Sequence, residues 1–166
     1  MLALIAAALA APAAARTQHH SVALNALSRG VLAQVNAVRR SHGLLALQIS
    51  ASLTAAASQH SHEMAVDGYF AHESRDGSAF DKRVIRYYKD ARMRYWSVGE
   101  NLVWSAPTMS AAQALNLWMH SPEHRANLLT ARWREIGVSA VHVATAPGTY
   151  GGGPVTIVTA DFGVRH

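Results

Sequence analysis

The last third of this chain constrains the fold most, because two β-rich runs there flank a turn-rich connector. The runs are Ile136–Thr145 and Val155–Val164, and the segment between them contains PGTYGGGP. Glycine and proline at this density favour a reversal of chain direction, so the pattern predicts an antiparallel β-hairpin. Any fold for this chain must therefore contain a sheet built around its C-terminal end.

Two helices are predicted in the first half of the chain. Over 24–42, apolar residues recur three or four positions apart, and Gly43 follows as the residue that ends the helix. Over 50–67, Ser50 is the expected N-cap and Gly68 the stop. The apolar stripe of this second helix consists of Leu53, Ala57, His60 and Met64.

The middle of the chain alternates between loop, helix and strand. Residues 69–79 form a predicted loop with a turn at Asp76-Gly77, and 80–88 form a short helix. Strand character over 93–104 is interrupted at 99–101. A capping box, Ser110 with Gln113, opens a helix that runs to His120, and Ser121-Pro122 opens another. Helices around a small antiparallel sheet give an α+β fold in one domain.

The N-terminal segment is treated apart from the domain. Residues 2–15 are apolar and end in Ala13-Ala14-Ala15, a plausible cleavage site, although no basic residue precedes Leu2. We interpret residues 1–15 as a signal peptide and 16–166 as the domain, with an alanine-rich first helix as the alternative. No apolar run in the sequence approaches the roughly 20 residues that span a bilayer.

Composition removes some kinds of chemistry. The chain has no cysteine, so neither disulfides nor a cysteine nucleophile or ligand can operate. The net charge of +5 permits weak attraction to anionic partners. Basic residues are concentrated only over 82–94, which is interpreted as a solvated basic face and not as a specific nucleic-acid site.

Four segments together resemble bacterial members of the CAP superfamily, the group of cysteine-rich secretory proteins, antigen 5 and pathogenesis-related 1 proteins. These segments are 60–65 with 68–72 (HSHEMA, GYFAH), 98–102 (VGENL), 118–129 (WMHSPEHRANLL) and 135–138 with 161–163 (EIGV, DFG). The resemblance covers about residues 30–163. It implies an α-β-α sandwich with a three-stranded antiparallel sheet between helical layers, and a secreted or cell-envelope location.

The resemblance also implies a central cleft that in some relatives binds a divalent metal. By motif, its two histidines fall on His72 and His124 and its acid on Glu100. The family's second glutamate is replaced here by Ser121, and Glu123 stands where glycine is usual. Glu123 and the nearby His120 are therefore added as candidate cleft residues.

Two imidazoles and a carboxylate, with water in the open position, would make a plausible zinc shell. As the third residue of its helix, His124 lies near the positive end of the helix dipole, which favours the neutral imidazole that a metal needs. The same neutrality would suit a catalytic base. In a purely structural alternative, His72 bridges a loop and His124 bonds Glu100.

Three functions remain open from the sequence. The first is a non-catalytic extracellular module whose cleft binds a metal and a small, lipid-like or envelope ligand. The second is a metal- or histidine-dependent peptidase or esterase, although no serine lies in a nucleophile-elbow motif. The third, binding of anionic polymers by charge alone, predicts a steep salt dependence.

Overall fold

The computed structural model describes residues 24–89 and 93–166. The predicted signal peptide, 1–15, lies outside these residues. The helices are α1 Ala26–Ser41, α2 Ala51–Asp67, α3 Phe80–Tyr88, α4 Ala111–His120 and α5 Pro122–Leu128. The strands are β1 Gln48–Ile49, β2 Trp96–Ser105, β3 Glu135–Val143 and β4 Val155–Arg165, with a 3₁₀ turn at Gly148–Tyr150.

The four strands form one mixed sheet in the order β1-β3-β4-β2. The predicted hairpin is confirmed, because β3 and β4 pair antiparallel, and β2 pairs antiparallel on the other side of β4. The sheet has four strands where three were expected. The additional strand, β1, is two residues long and pairs parallel with the start of β3. A strand this short carries no alternating pattern that the sequence could reveal.

Helices cover both faces of the sheet. Side chains of α1, α4 and α5 pack against one face, where Val35, Trp118 and Phe162 are fully buried. On the other face, α2 and α3 contribute Leu53 and Tyr88 to the core. The result is the α-β-α sandwich that the resemblance implied.

The second helix was predicted to the residue. The Ser50 hydroxyl accepts a hydrogen bond from the Leu53 amide, and Gly68 ends the helix with φ at 70°. His60 is fully buried, and its Nε2 lies 2.8 Å from the carbonyl oxygen of Ala71. The predicted place of His60 on the buried stripe is confirmed, while its Nδ1 has no hydrogen-bond partner within the described residues.

The predicted interruption of the β2 strand is wrong. Residues 99–101 continue β2 in register with β4, with Glu100 opposite Asp161. Polar residues are tolerated there because helices α3 and α5 supply hydrogen-bonding partners on each side. Gly99 marks a close approach, since a Cβ atom there would lie 2.6 Å from the Asn127 side chain.

Candidate functional site

A cleft of about 470 Å³ lies at the outer edge of β2. The loop between α2 and α3 brings His72 to one side, and α5 brings His124 to the other. Glu100 and Trp133 also line it. The structure therefore brings together the three residues that the motif comparison selected.

His72 is held in place by a buried carboxylate. Its Nδ1 lies 2.8 Å from Oε1 of Glu100, and the imidazole is half exposed while the Glu100 side chain is buried. A carboxylate can only accept, so Nδ1–H donates and Nε2 is the nitrogen left for a ligand. This hydrogen bond is the main reason that the pKa of His72 is raised above its usual value.

The second partner of the Glu100 carboxylate is the buried Arg83. Its guanidinium is fully buried and forms an ion pair with Oε2 of Glu100, while its Nη1 donates to the backbone oxygen of His72 at 3.0 Å. The interpretation of 82–94 as a solvated face is therefore wrong at this position. Arg83 precedes Val84 on the buried side of α3, a placement that the charge pattern alone concealed.

Glu100 stays ionised because its two partners outweigh its burial. Burial alone would raise its pKa, but the His72 hydrogen bond and the Arg83 charge together lower it. Asp161, opposite on β4, differs: it is fully buried, and neither of its oxygens accepts a hydrogen bond within the described residues. Burial, reinforced by the Glu100 charge, raises its pKa and favours the neutral acid.

The other wall of the cleft is fixed by two asparagines. Asn101 donates to the His124 backbone oxygen at 3.0 Å, and Asn127 donates to the Glu100 backbone oxygen at 3.2 Å. Burial lowers the pKa of His124, and the nearby His72 lowers it further, against the opposing charge of Glu123. The expected neutral imidazole at this position therefore has support, with burial as the larger cause.

The two added candidates separate in space. Glu123 lines the cleft beside His124. His120 does not line it: the side chain is exposed at the end of α4, where Nδ1 lies 2.8 Å from the Asn116 carbonyl oxygen. The position of His120 next to Ser121 in the sequence did not reveal that its side chain lies outside the cleft.

The predicted metal set is only partly matched by the geometry. Within residues 24–89 and 93–166, no group of three or more His, Cys, Asp or Glu side chains is arranged to hold a metal ion. Both oxygens of Glu100 already have partners, and one of these is the cation of Arg83. Glu100 is thus placed to orient His72 and not to ligate directly, and metal binding by His72, Glu100 and His124 stays a prediction.

Solved structures of bacterial proteins share this fold. An outer surface protein from Borrelia burgdorferi aligns with a TM-score of 0.65 at 19% identity, covering 83% of this chain and 92% of its own. An extracellular protein containing an SCP domain, from Bacillus anthracis, aligns with a TM-score of 0.62 at 24% identity, covering 81% and 39%. At these identities the likeness concerns the fold.

The chain is similar in sequence to the uncharacterized protein YkwD of Bacillus subtilis. The two are 33% identical over 119 residues, which is 71% of this chain and 44% of YkwD. The uncharacterized membrane protein YlbC of the same organism is 26% identical over 65% of this chain and 30% of its own length. The chain thus spans less than half the length of the curated relatives that it matches.

The described helices include none that is both long and apolar enough to cross a membrane. The model of the cysteine-rich secretory protein family, CAP, matches residues 32–162, most of the chain, although no cysteine is present. The chain belongs to the CAP family.

Proposed function

We propose that this protein is a non-catalytic binding module that acts outside the cell and holds an anionic, partly apolar ligand in the cleft. The observation that carries the proposal is the half-exposed imidazole of His72, fixed by Glu100 and the buried Arg83. A buried ion pair under one half-exposed side chain costs desolvation energy, and here it fixes the imidazole of His72 so that Nε2 is left for a ligand. This nitrogen donates a hydrogen bond when the imidazole is protonated.

The cleft walls indicate the chemistry of the ligand. Phe80, Val98 and Trp133 supply apolar surface. Hydrogen-bond donors come from Arg132 and from the protonated form of His72. A few placed polar groups among apolar walls are typical of small-molecule sites. A ligand with an anionic group and a short apolar portion complements this surface, which agrees with a lipid-like or envelope component.

The test uses two defined probes, muramyl dipeptide and dihexanoyl phosphatidylglycerol, titrated calorimetrically into the full chain. At least one should bind saturably with one-to-one stoichiometry, and His72→Gln should weaken it about tenfold, the effect of losing one charged hydrogen bond. His142→Gln is the matched control, because His142 is exposed on β3, away from the cleft. Equal affinity in all three proteins would refute the proposal.

Binding of a divalent metal between the two imidazoles of the cleft is tested separately by calorimetry. Zinc should then bind the wild type one-to-one and be lost in a His72→Ala/His124→Ala double variant. Two imidazoles are the ligands that the cleft offers. Zinc binding equal in both proteins would remove the metal from the account without affecting the ligand proposal.

The location outside the cell rests on two observations. Residues 2–15 have the composition of an export signal, and two structural relatives are described as extracellular or outer-surface proteins. Fusion of residues 1–30 to alkaline phosphatase, which is active only after export, should give activity in a bacterial host. A fusion that stays inactive while fully expressed would contradict export.

Hydrolysis is the second candidate, favoured by one observation. The His72–Glu100 pair has the form of a catalytic base with its orienting carboxylate. The lack of an available nucleophile argues against it. Among the described residues that line the cleft, the hydroxyl belongs to Thr130, and it already donates to the Ala126 backbone oxygen at 2.9 Å. Hydrolysis of p-nitrophenyl butyrate that is abolished by His72→Gln would revive this candidate.

A further inference from the structure

The strand β2 forms one edge of the sheet and runs along the cleft. In the strand order β1-β3-β4-β2, it has a partner on one side only. Residues 98–101 of this strand line the cleft. The backbone of an edge strand presents N–H and C=O groups that can pair with another chain.

The hydrogen-bonding pattern shows which backbone groups point outward. Tyr95 and His166 exchange both backbone hydrogen bonds, at 3.0 and 3.1 Å. Because the register with β4 continues without a break, the odd-numbered residues of β2 bond to β4 and the even-numbered ones point away. Trp96, Val98 and Glu100 therefore direct their backbone groups toward the open edge.

Two side-chain contacts confirm this alternation independently. The Glu100 carbonyl accepts from Asn127, and the Leu102 carbonyl accepts from the Trp118 indole at 3.0 Å. These contacts cover the edge from position 100 onward. At Val98, no side chain of the described residues bonds to the outward groups, so the edge is open where it borders the cleft.

The cleft walls match an added strand. Side chains of a strand alternate between the two faces of its sheet. On one face a bound strand would meet Phe80 and His72, and on the other it would meet Trp133 and Arg132. The Arg132 guanidinium lies 4.8 Å from the centre of the Trp133 ring and is exposed, so it presents a positive charge to this wall.

We propose that the ligand of the cleft is an extended peptide, which adds to the β2 edge at Trp96–Val98 and places an acidic side chain against Arg132. This inference rests on the proposed function, since it names the ligand class of the same site. Main-chain hydrogen bonds supply affinity in this mode of recognition, and the two walls supply selectivity. From Trp96 to Val98 the open edge spans about 7 Å, which a heptapeptide covers with residues to spare on both sides.

The test begins with a phage-displayed library of random heptapeptides, selected on the immobilised chain. Selected sequences should be rich in Asp and Glu and poor in proline. The best sequence, made synthetically, is then titrated into wild type, Val98→Ala and Val98→Pro. Proline removes the outward N–H without removing a bond to β4, a position where edge strands tolerate it.

Val98→Ala removes only apolar side-chain surface from the cleft, so it serves as the reference for Val98→Pro. Loss of one main-chain hydrogen bond should weaken the peptide about tenfold further in Val98→Pro than in Val98→Ala. A peptide N-methylated at its central amides should bind wild type at least as weakly, which gives a second measurement if Val98→Pro is unstable. Full binding of the N-methylated peptide would overturn the inference. So would the absence of any selected peptide while a defined lipid or glycan probe binds, an outcome that leaves the proposed function intact.

Discussion

At the scale of single residues, the site depends on a chain of charges from the buried Arg83 through Glu100 to the half-exposed His72. Arg83 holds the carboxylate of Glu100, and Glu100 in turn holds the imidazole of His72. Removing the innermost member leaves a buried carboxylate without its cation, which costs more than the ion pair itself contributes.

The Arg83→Met variant tests this dependence. We expect a loss of about 3–5 kcal/mol in the free energy of unfolding, measured by urea denaturation. Arg75→Met is the matched control, because the Arg75–Asp67 pair, at 3.4 Å, is exposed and should contribute about 0–1 kcal/mol. Similar losses in the two variants would show that Glu100 does not need its buried partner.

The pKa values of the two cleft histidines should differ from the usual value of about 6.5 in opposite directions, with that of His72 higher and that of His124 lower. The raised pKa of His72 means that its bond to Glu100 stabilises the fold below that value, and this contribution is lost as pH rises through the folded-state pKa. The lowered pKa of His124 costs stability as pH falls below about 6.5.

Proton NMR of the imidazole Cε1–H signals measures both midpoints directly. The His72 midpoint should lie above the His124 midpoint, and His72→Gln should raise the latter because a neighbouring positive charge is removed. The reverse order of midpoints would mean that the His72–Glu100 hydrogen bond does not persist in solution.

At the scale of elements, the packing of α2 on β3 requires a residue without a side chain at Gly137. A Cβ atom at Gly137 would lie 2.0 Å from the backbone carbon of Leu53. Gly137→Ala should therefore destabilise the protein by about 1–3 kcal/mol or more, because helix and strand must separate. Gly153→Ala, where no atom lies within 4 Å, should leave the midpoint of chemical unfolding nearly unchanged.

Helix caps supply a second comparison between elements. Ser110 and Gln113 form the complete capping box that the sequence predicts, whereas Ser121 makes no side-chain cap bond to α5. Ser110→Ala should cost about 1 kcal/mol in the free energy of unfolding, and Ser121→Ala much less. Equal costs would indicate that Ser121 caps its helix in solution.

At the scale of the whole molecule, much of the fold could be predicted from the spacing of apolar residues and from the residues that begin or end helices and turns. The bounds of α2 and α3 and the terminal hairpin follow from apolar spacing, Ser50, Gly68 and the PGTYGGGP connector. The two-residue β1 could not be predicted, because it exists only through its pairing with β3. The continuity of β2 was missed because partners on other elements satisfy its polar residues.

The candidate site was predictable only where a motif names a residue. His72, Glu100 and His124 could be selected from motif resemblance, and the cleft brings them together. Arg83 could not, since a buried charge in a basic run has no local signature. Asp161 belongs to the quoted DFG segment, but nothing in that segment indicates a buried neutral acid. Their roles appear only when α3 packs across β2 and β4.

The central claim is that the cleft beside His72 is where a ligand binds. The most direct measurement is a two-dimensional ¹H–¹⁵N NMR titration of the chain with dihexanoyl phosphatidylglycerol and with the best selected heptapeptide. We expect saturable shifts concentrated at Val98, Gly99, His124 and the Trp133 indole, and their loss in His72→Gln. Shifts confined to surfaces away from the cleft, or unchanged by that substitution, would contradict it.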